Sequence, residues 1–273
     1  MLSSRFVRRV RSCARVVAAA VVFAAASAVP TAADERADGP VVVNGRAYEA
    51  YVEAAPKQGQ FYWYTCEFDA AWVVLKTFGH EVPFEEQLAI VGHDLTIAPY
   101  VVQTGDDFTI YGGDIETAFS GDYTSSFLAR STGRAMAKLF EHYELEVEPV
   151  DSRREIERAL DGGGLVWTKA TVDFLPWQPA TWVTPDGDTF QTVLSNDHAV
   201  VVVGYNADVV VIRDPLGPTD TNWNRAYEYE VEWATFLAAF AAQSKDGLAV
   251  SVPDPDDPTI GPVSGPPVEA SSD

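Results

Sequence analysis

The chain reads as an α+β protein, and three observations predict that class. Apolar residues recur at three- and four-residue spacing in its first half, at Ala70, Val73, Val74 and Phe78 and again at Met136, Leu139, Phe140 and Tyr143. The second half holds β-branched runs at residues 165–172, 198–204 and 209–213. Helices come first and strands later, without the regular alternation that marks a parallel α/β sheet.

Each element follows from local chemistry. Residues 41–43 and 47–52 form a hairpin about Asn44-Gly45, a dipeptide that supplies the positive backbone angles of a tight turn. A helix spans 66–78 and stops at Gly79, where a helix C-terminus favours glycine, which puts Cys66 at or near its N-terminus. A second helix runs over 83–91 with Pro83 in its first turn. Residues 93–126, rich in Gly, Asp, Thr and Tyr, read as a long ordered loop with one helical turn at 114–119, of the sort that borders a binding cleft. A helix follows at 134–143. Ser152 and Glu155 make a capping box for a short helix ending at the glycines 162–164. After the strand at 165–172 comes a turn-rich stretch, 176–195, and then the strands 198–204 and 209–213. An amphipathic helix at 232–243 presents Trp233, Phe236, Leu237 and Phe240, and a strand at 248–252 closes the domain. No internal repeat is visible.

The two ends differ from this body. Residues 1–33 read as a secretory signal peptide: Arg5, Arg8, Arg9, Arg11 and Arg15 precede an uncharged stretch and the small residues Ala26-Ser27-Ala28 and Thr31-Ala32-Ala33, with cleavage expected near Ala28 or Ala33. The apolar stretch is shorter than the ~18 residues of a spanning helix, so a secreted protein with no membrane partner after cleavage is expected. Residues 34–252 form the expected domain, and 253–273, dominated by Pro, Asp, Gly and Ser, an expected disordered tail.

Composition narrows the function. The chain carries 40 acidic against 19 basic residues, a net charge of −21. Loss of the signal removes five arginines and no carboxylate, leaving 14 basic against 40 acidic residues, or −26. Such a surface repels phosphate backbones and anionic lipid, so no nucleic-acid partner is expected. Of the two cysteines, Cys13 belongs to the signal and Cys66 is left alone. A lone thiol in an oxidising compartment is either buried or used.

The surroundings of Cys66 point to use. A cysteine at a helix N-terminus beside an imidazolium is driven to ionise by the helix dipole and by the adjacent cation. Downstream stands His198, opening a strand. A turn centred on Asn206 would place Asp214 directly opposite it on the same face of the hairpin, where the carboxylate can orient the ring. Asp197, adjacent to His198 in the strand, would point to the other face. Gln60, six residues before Cys66, can set its amide beside the Cys66 backbone N–H to hold an oxyanion, a role worth ~2.7–4 kcal/mol in acyl transfer. Gln58 is a weaker rival at the wrong offset. Trp177 and Trp182 are candidates for lining a cleft. His80, His93 and His142, with Asp106, Asp107 and Asp114, show no ligand spacing, so neither a metal nor another cofactor is expected.

The segment Gln60-Phe61-Tyr62-Trp63-Tyr64-Thr65-Cys66, the helix after it to Phe78-Gly79, His198-Ala199-Val200-Val201-Val202-Val203-Gly204-Tyr205 and Asp214-Pro215-Leu216-Gly217 resemble the bacteriocin-processing, double-glycine leader peptidase branch of the papain-like cysteine peptidases. The resemblance is nearest to its stand-alone secreted relatives and covers roughly Gln58 to Val252. It implies a papain-like fold, a peptide or protein substrate, and the roles of nucleophile for Cys66, base for His198, orienting carboxylate for Asp214 and oxyanion donor for Gln60. One position departs: the family has glycine after the nucleophile, and Glu67 stands here, a carboxylate that opposes ionisation of the thiol. The expected function is thiol-dependent hydrolysis of a peptide or amide through a thioester; the alternative is a silent domain of this fold binding a peptide or cell-wall partner.

Overall fold

The computed structural model describes residues 39–254. The expected signal peptide and the expected tail beyond residue 254 lie outside the described residues. The elements in chain order are β1 (Val41–Val43), β2 (Arg46–Tyr48), β3 (Ala50–Tyr51), α1 (Cys66–Thr77), α2 (Phe84–Val91), β4 (His93–Asp94), β5 (Tyr100–Thr104), β6 (Asp107–Tyr111) and β7 (Phe119–Ser120). Then come α3 (Gly133–His142), β8 (Glu146–Pro149), α4 (Arg153–Asp161), β9 (Leu165–Thr171), β10 (Pro179–Val183), β11 (Thr189–Val193), β12 (Asp197–Tyr205), β13 (Val209–Arg213), β14 (Glu228–Glu232), α5 (Trp233–Ala242) and β15 (Gly247–Ser251).

An antiparallel sheet in the order β14-β13-β12-β9-β15-β8, with β3 added against β12, is the centre of the domain. Alternation along the strands sorts its side chains to two faces. Ala199, Val201 and Val203 of β12, with Leu165 and Trp167 of β9, pack under α1, α2 and α3. Val200 and Val202, with Val166 and Ala170, pack against Ile156 and Leu160 of α4 and Phe236 and Phe240 of α5. Cover on both faces is why β12 is an unbroken apolar run. Among the described residues, no helix is long and apolar enough to cross a membrane.

Helix α1 buries nine of its twelve residues, Glu67 and Asp69 included, so it carries no sharply polar side. Its end is a Schellman motif: Gly79 takes φ +97°, Gly79 N–H donates to Lys76 O and His80 N–H to Leu75 O. Asn44 and Gly45 take the positive φ angles expected of the β1–β2 turn. Pro83 precedes α2 as its cap instead of occupying its first turn. Before α4 the expected capping box is not made: Glu155 accepts from the N–H of Asp151, one residue before the cap, and the Ser152 side chain makes no cap bond.

Three expectations need correction. The stretches read as a long loop and as turns contain a second sheet, β11-β10-β6-β5. Its outer strand β5 is exposed along its whole length, so it shows none of the half-buried alternation that marks a strand. The strands β8 and β14 are rich in glutamate and show no apolar run: the glutamates of β8 face solvent, while Glu228 and Glu230 of β14 are half-buried and paired with Arg213 and Arg46. The β12–β13 register also differs. Tyr205 pairs with Val210, so the turn centres between Ala207 and Asp208 and not on Asn206; the one-residue shift between Val202 and Gly204 recovers only part of the difference, and with Val201 paired to Arg213 residue 198 falls two residues out of step with 214. His198 and Asp214 are therefore diagonal neighbours, within reach for long side chains.

Candidate active site

Cys66 is the first residue of α1, held there by the loop before it. Phe61 N–H donates to Asp69 Oδ1 (2.9 Å), and Thr65 Oγ1 donates to Asp69 Oδ2 (2.7 Å). Lys57 Nζ lies 3.2 Å from the same carboxylate, whose pKa burial pushes up to about 6. Gln60 is half-buried in this loop, and Gly59, at φ +86°, donates its N–H to Pro215 O at 2.8 Å. The loop carrying Gln60 is thus tied to the segment that follows Asp214.

His198 is 2 % exposed, and its Nε2 lies 2.9 Å from Asp214 Oδ1. Burial favours the neutral form of Asp214, but the charge and hydrogen bond of His198, then Arg225 and the Leu216 N–H, outweigh it and hold the carboxyl below its usual range. An ionised Asp214 accepts, so Nε2 is the donor, which leaves Nδ1 as the ring nitrogen that can exchange a proton. The carboxylate is held from behind. Tyr229 donates its hydroxyl to Oδ2 at 2.9 Å, Leu216 N–H donates to Oδ1 at 2.9 Å, and Arg225 Nη1 lies 3.2 Å from Oδ2. Burial and the adjacent Asp214 push the Tyr229 phenol well above its ordinary range, so it stays a donor.

The thiol belongs to a different hydrogen-bonded group. Cys66 Sγ donates to Glu67 Oε2 at 3.2 Å. Glu67 Oε1 accepts from Lys169 Nζ (2.6 Å) and from Ser131 N–H (3.3 Å), and Lys169 Nζ also lies 2.8 Å from Asp197 Oδ2. Burial comes first and Glu67 second in pushing the Cys66 thiol well above its ordinary range; Lys169 pulls the other way. For Asp197, burial is outweighed by Lys169 and Arg130, which keep it ionised. Ligand atoms of Cys66, Glu67 and Asp197 lie within 4.8 Å of one another, and the cation between the two carboxylates is Lys169 itself.

The structure therefore joins His198 to Asp214 and leaves Asp197, the rival orienter, to Lys169 and Gln243. Among the described residues no hydrogen bond joins Cys66 to His198; the thiol's partner is Glu67. Trp182, expected to line a cleft, is wholly buried in the core of the second sheet with Nε1 donating to Gly113 O, because β10 carries it inward. Trp177 is half-buried beside a recess it shares with Phe174 and Ala234. Sequence reasoning missed Lys169, Tyr229 and Arg225. A lysine inside the apolar run Val166-Trp167-Thr168-Lys169-Ala170 was the available signal, since a cation in a buried strand requires carboxylate partners.

A cysteine heading a helix packed on an antiparallel sheet, with a buried His–Asp pair on that sheet, defines a papain-like architecture. The chain belongs to the Peptidase_C39 like family, whose model matches residues 52–248. It is also similar in fold to the crystal structure of a Bacillus anthracis protein assigned to the C39-like peptidases, at 16 % sequence identity and a TM-score of 0.57, over 75 % of this chain and 98 % of that one. No curated protein matches the sequence. Membership of this family suggests cysteine peptidase activity.

Proposed function

We propose that the chain is a secreted, thiol-dependent peptidase or amide hydrolase in which Cys66 is the nucleophile, His198 the base, Asp214 its orienting carboxylate and Gln60 an oxyanion donor. The observation that carries this reading is the buried His198–Asp214 pair at 2.9 Å, held by Tyr229, Leu216 and Arg225, in a chain of the C39-like family. His198 Nδ1 takes the thiol proton, and the sulfur attacks the substrate carbonyl. The backbone N–H of Cys66 and the Gln60 amide hold the oxyanion. The imidazolium returns its proton to the leaving amine, and water hydrolyses the thioester. Before the first step the thiol must leave Glu67, so the resting arrangement is a protonated cysteine. The substrate is a peptide or protein, and no metal or cofactor is invoked.

Two measurements test this. Iodoacetamide should label Cys66 in the folded protein without unfolding it, at a rate that climbs with pH as the resting thiol ionises, and Cys66→Ala or His198→Ala should abolish a trapped acyl-enzyme. Labelling only on unfolding would reject the reading.

The bond from Cys66 to Glu67 favours a second reading, a silent member of the fold that binds a peptide or cell-wall partner. In that case alkylation leaves binding intact, and Glu67→Gly creates no activity.

A further inference from the structure

A cleft of about 630 Å³ lies beside α3, the paired strands β8 and β15, and β11. Its walls include Ile115, Ala137, Val150, Phe190 and Leu248, and Arg130, Ser131, Lys169 and Thr192 also line it. Arg130 is 1 % exposed and fixed in place: its Nε donates to Leu128 O (3.1 Å) and its Nη1 to Thr192 Oγ1 (2.7 Å) and Val193 O (2.9 Å). Its backbone pairs with Ser120 in both directions. Two other buried cations have carboxylate partners. Lys169 has Glu67 and Asp197, and Arg225 has Asp173 and Asp214. Arg130 makes no such pair among the described residues, and its Nη2 is buried without a hydrogen-bond partner. So is the hydroxyl of the next residue, Ser131, itself 1 % exposed. Asp197 supplies Arg130 with a counter-charge at a distance, but its oxygens accept from Lys169 and Gln243, so Nη2 keeps a hydrogen-bonding position that no acceptor fills.

We infer that this cleft is a binding site for a carboxylate carried on an apolar peptide, one oxygen taken by Arg130 Nη2 and the other by Ser131 Oγ. The guanidinium is pre-organised by its other hydrogen bonds, so little entropy is lost when the ligand arrives. The apolar walls select a peptide over a small free anion. The site adjoins the thiol: Ser131 N–H donates to Glu67 Oε1, and Glu67 follows Cys66. Binding here is independent of whether Cys66 turns over.

The test is isothermal titration calorimetry on the full chain carrying Cys66→Ala, so that no probe is hydrolysed and failure of the hydrolase reading does not affect the outcome. Three acetylated tripeptides serve as probes: Ala-Leu-Asp amide, Ala-Leu-Ala with a free C-terminal carboxylate, and Ala-Leu-Ala amide. At least one carboxylate peptide should bind about tenfold tighter than the amide without one, and which of them does so identifies a side-chain or terminal source. Ser131→Ala should cut that preference roughly five- to tenfold and Arg130→Gln should remove it. Equal affinity for all three probes, no binding of any, or a preference that survives in Ser131→Ala overturns the inference. The serine variant keeps the test decisive should Arg130→Gln fail to fold.

Discussion

Replacing Glu67 by glutamine removes one charge from the thiol's hydrogen-bonded partner and keeps its volume. Lys169 still has Asp197 at 2.8 Å, so the buried lysine is not orphaned, and the three-charge group becomes a neutral pair. At 3.2 Å, a thiolate and a carboxylate repel by about 5 kcal/mol at an effective dielectric of 20, or roughly four pK units. Lys169 acts on the thiolate in both proteins and cancels in the comparison, but the Glu67 carboxylate swings away once the hydrogen-bonded proton is gone, which leaves a net effect on the order of one to two units. The Cys66 pKa should fall by that amount. Each unit raises the thiolate fraction about tenfold, while the lower basicity costs about half of that gain on a logarithmic scale, so alkylation near neutral pH should speed up about three- to tenfold. The assay is the pH–rate profile of iodoacetamide labelling for the wild type and Glu67→Gln. An unmoved inflection and an unchanged rate would refute the argument and assign the raised thiol pKa to burial alone.

Other perturbations have equally definite outcomes. Asp214→Ala strips His198, Tyr229 and Arg225 of a common buried partner and should cost about 3–5 kcal/mol in urea unfolding, together with any hydrolysis; a wild-type midpoint would count against the ion-pair description. Asp246, whose two carboxylate oxygens share the single N–H of Gly133, is pushed by burial up to about 6. The folded chain holds this proton more tightly than the unfolded one, so stability should decline as pH rises from about 4 to 6, by up to ~3 kcal/mol. Asp69, also at about 6, acts in the same direction, so Asp246→Asn should remove about half of the slope, and an unchanged slope would contradict this. At Gly112 an added Cβ would sit 2.1 Å from Trp182 Cζ2, and Gly112→Ala should lower stability by about 1–3 kcal/mol in the same assay; a neutral effect would show that Trp182 yields.

The helix beginning at Cys66 and the paired strands from His198 were legible because burial on one or both sides writes apolar periodicity into the chain. Asn44-Gly45 and Gly79 were legible because few other residues accept their backbone angles. The second sheet was not, since β5 faces solvent throughout. A cue existed in Gly105-Asp106, a two-residue turn with Gly105 at φ +63°, set between two β-prone runs that pair Thr104 with Asp107. Around the site, the meeting of His198 with Asp214 followed from their places on two paired strands, but by a diagonal, because the turn centres between Ala207 and Asp208 and not on Asn206. The fate of Glu67 could not be read locally. Its partner Lys169 lies on a strand distant in sequence, and only the packing of α1 on β9 brings them together.

The hydrogen bond from Gly59 to Pro215 also bears on how the protein is made. During synthesis the thiol emerges long before the imidazole and its carboxylate, and the loop carrying Gln60, already tied locally to Asp69, lacks its tie to the segment after Asp214 until Pro215 has left the ribosome. Contacts of such sequence separation close late and slowly. A nascent or truncated chain ending before that point has a cysteine on a helix but no assembled site, so whatever chemistry the finished domain performs is withheld until nearly all of it has folded.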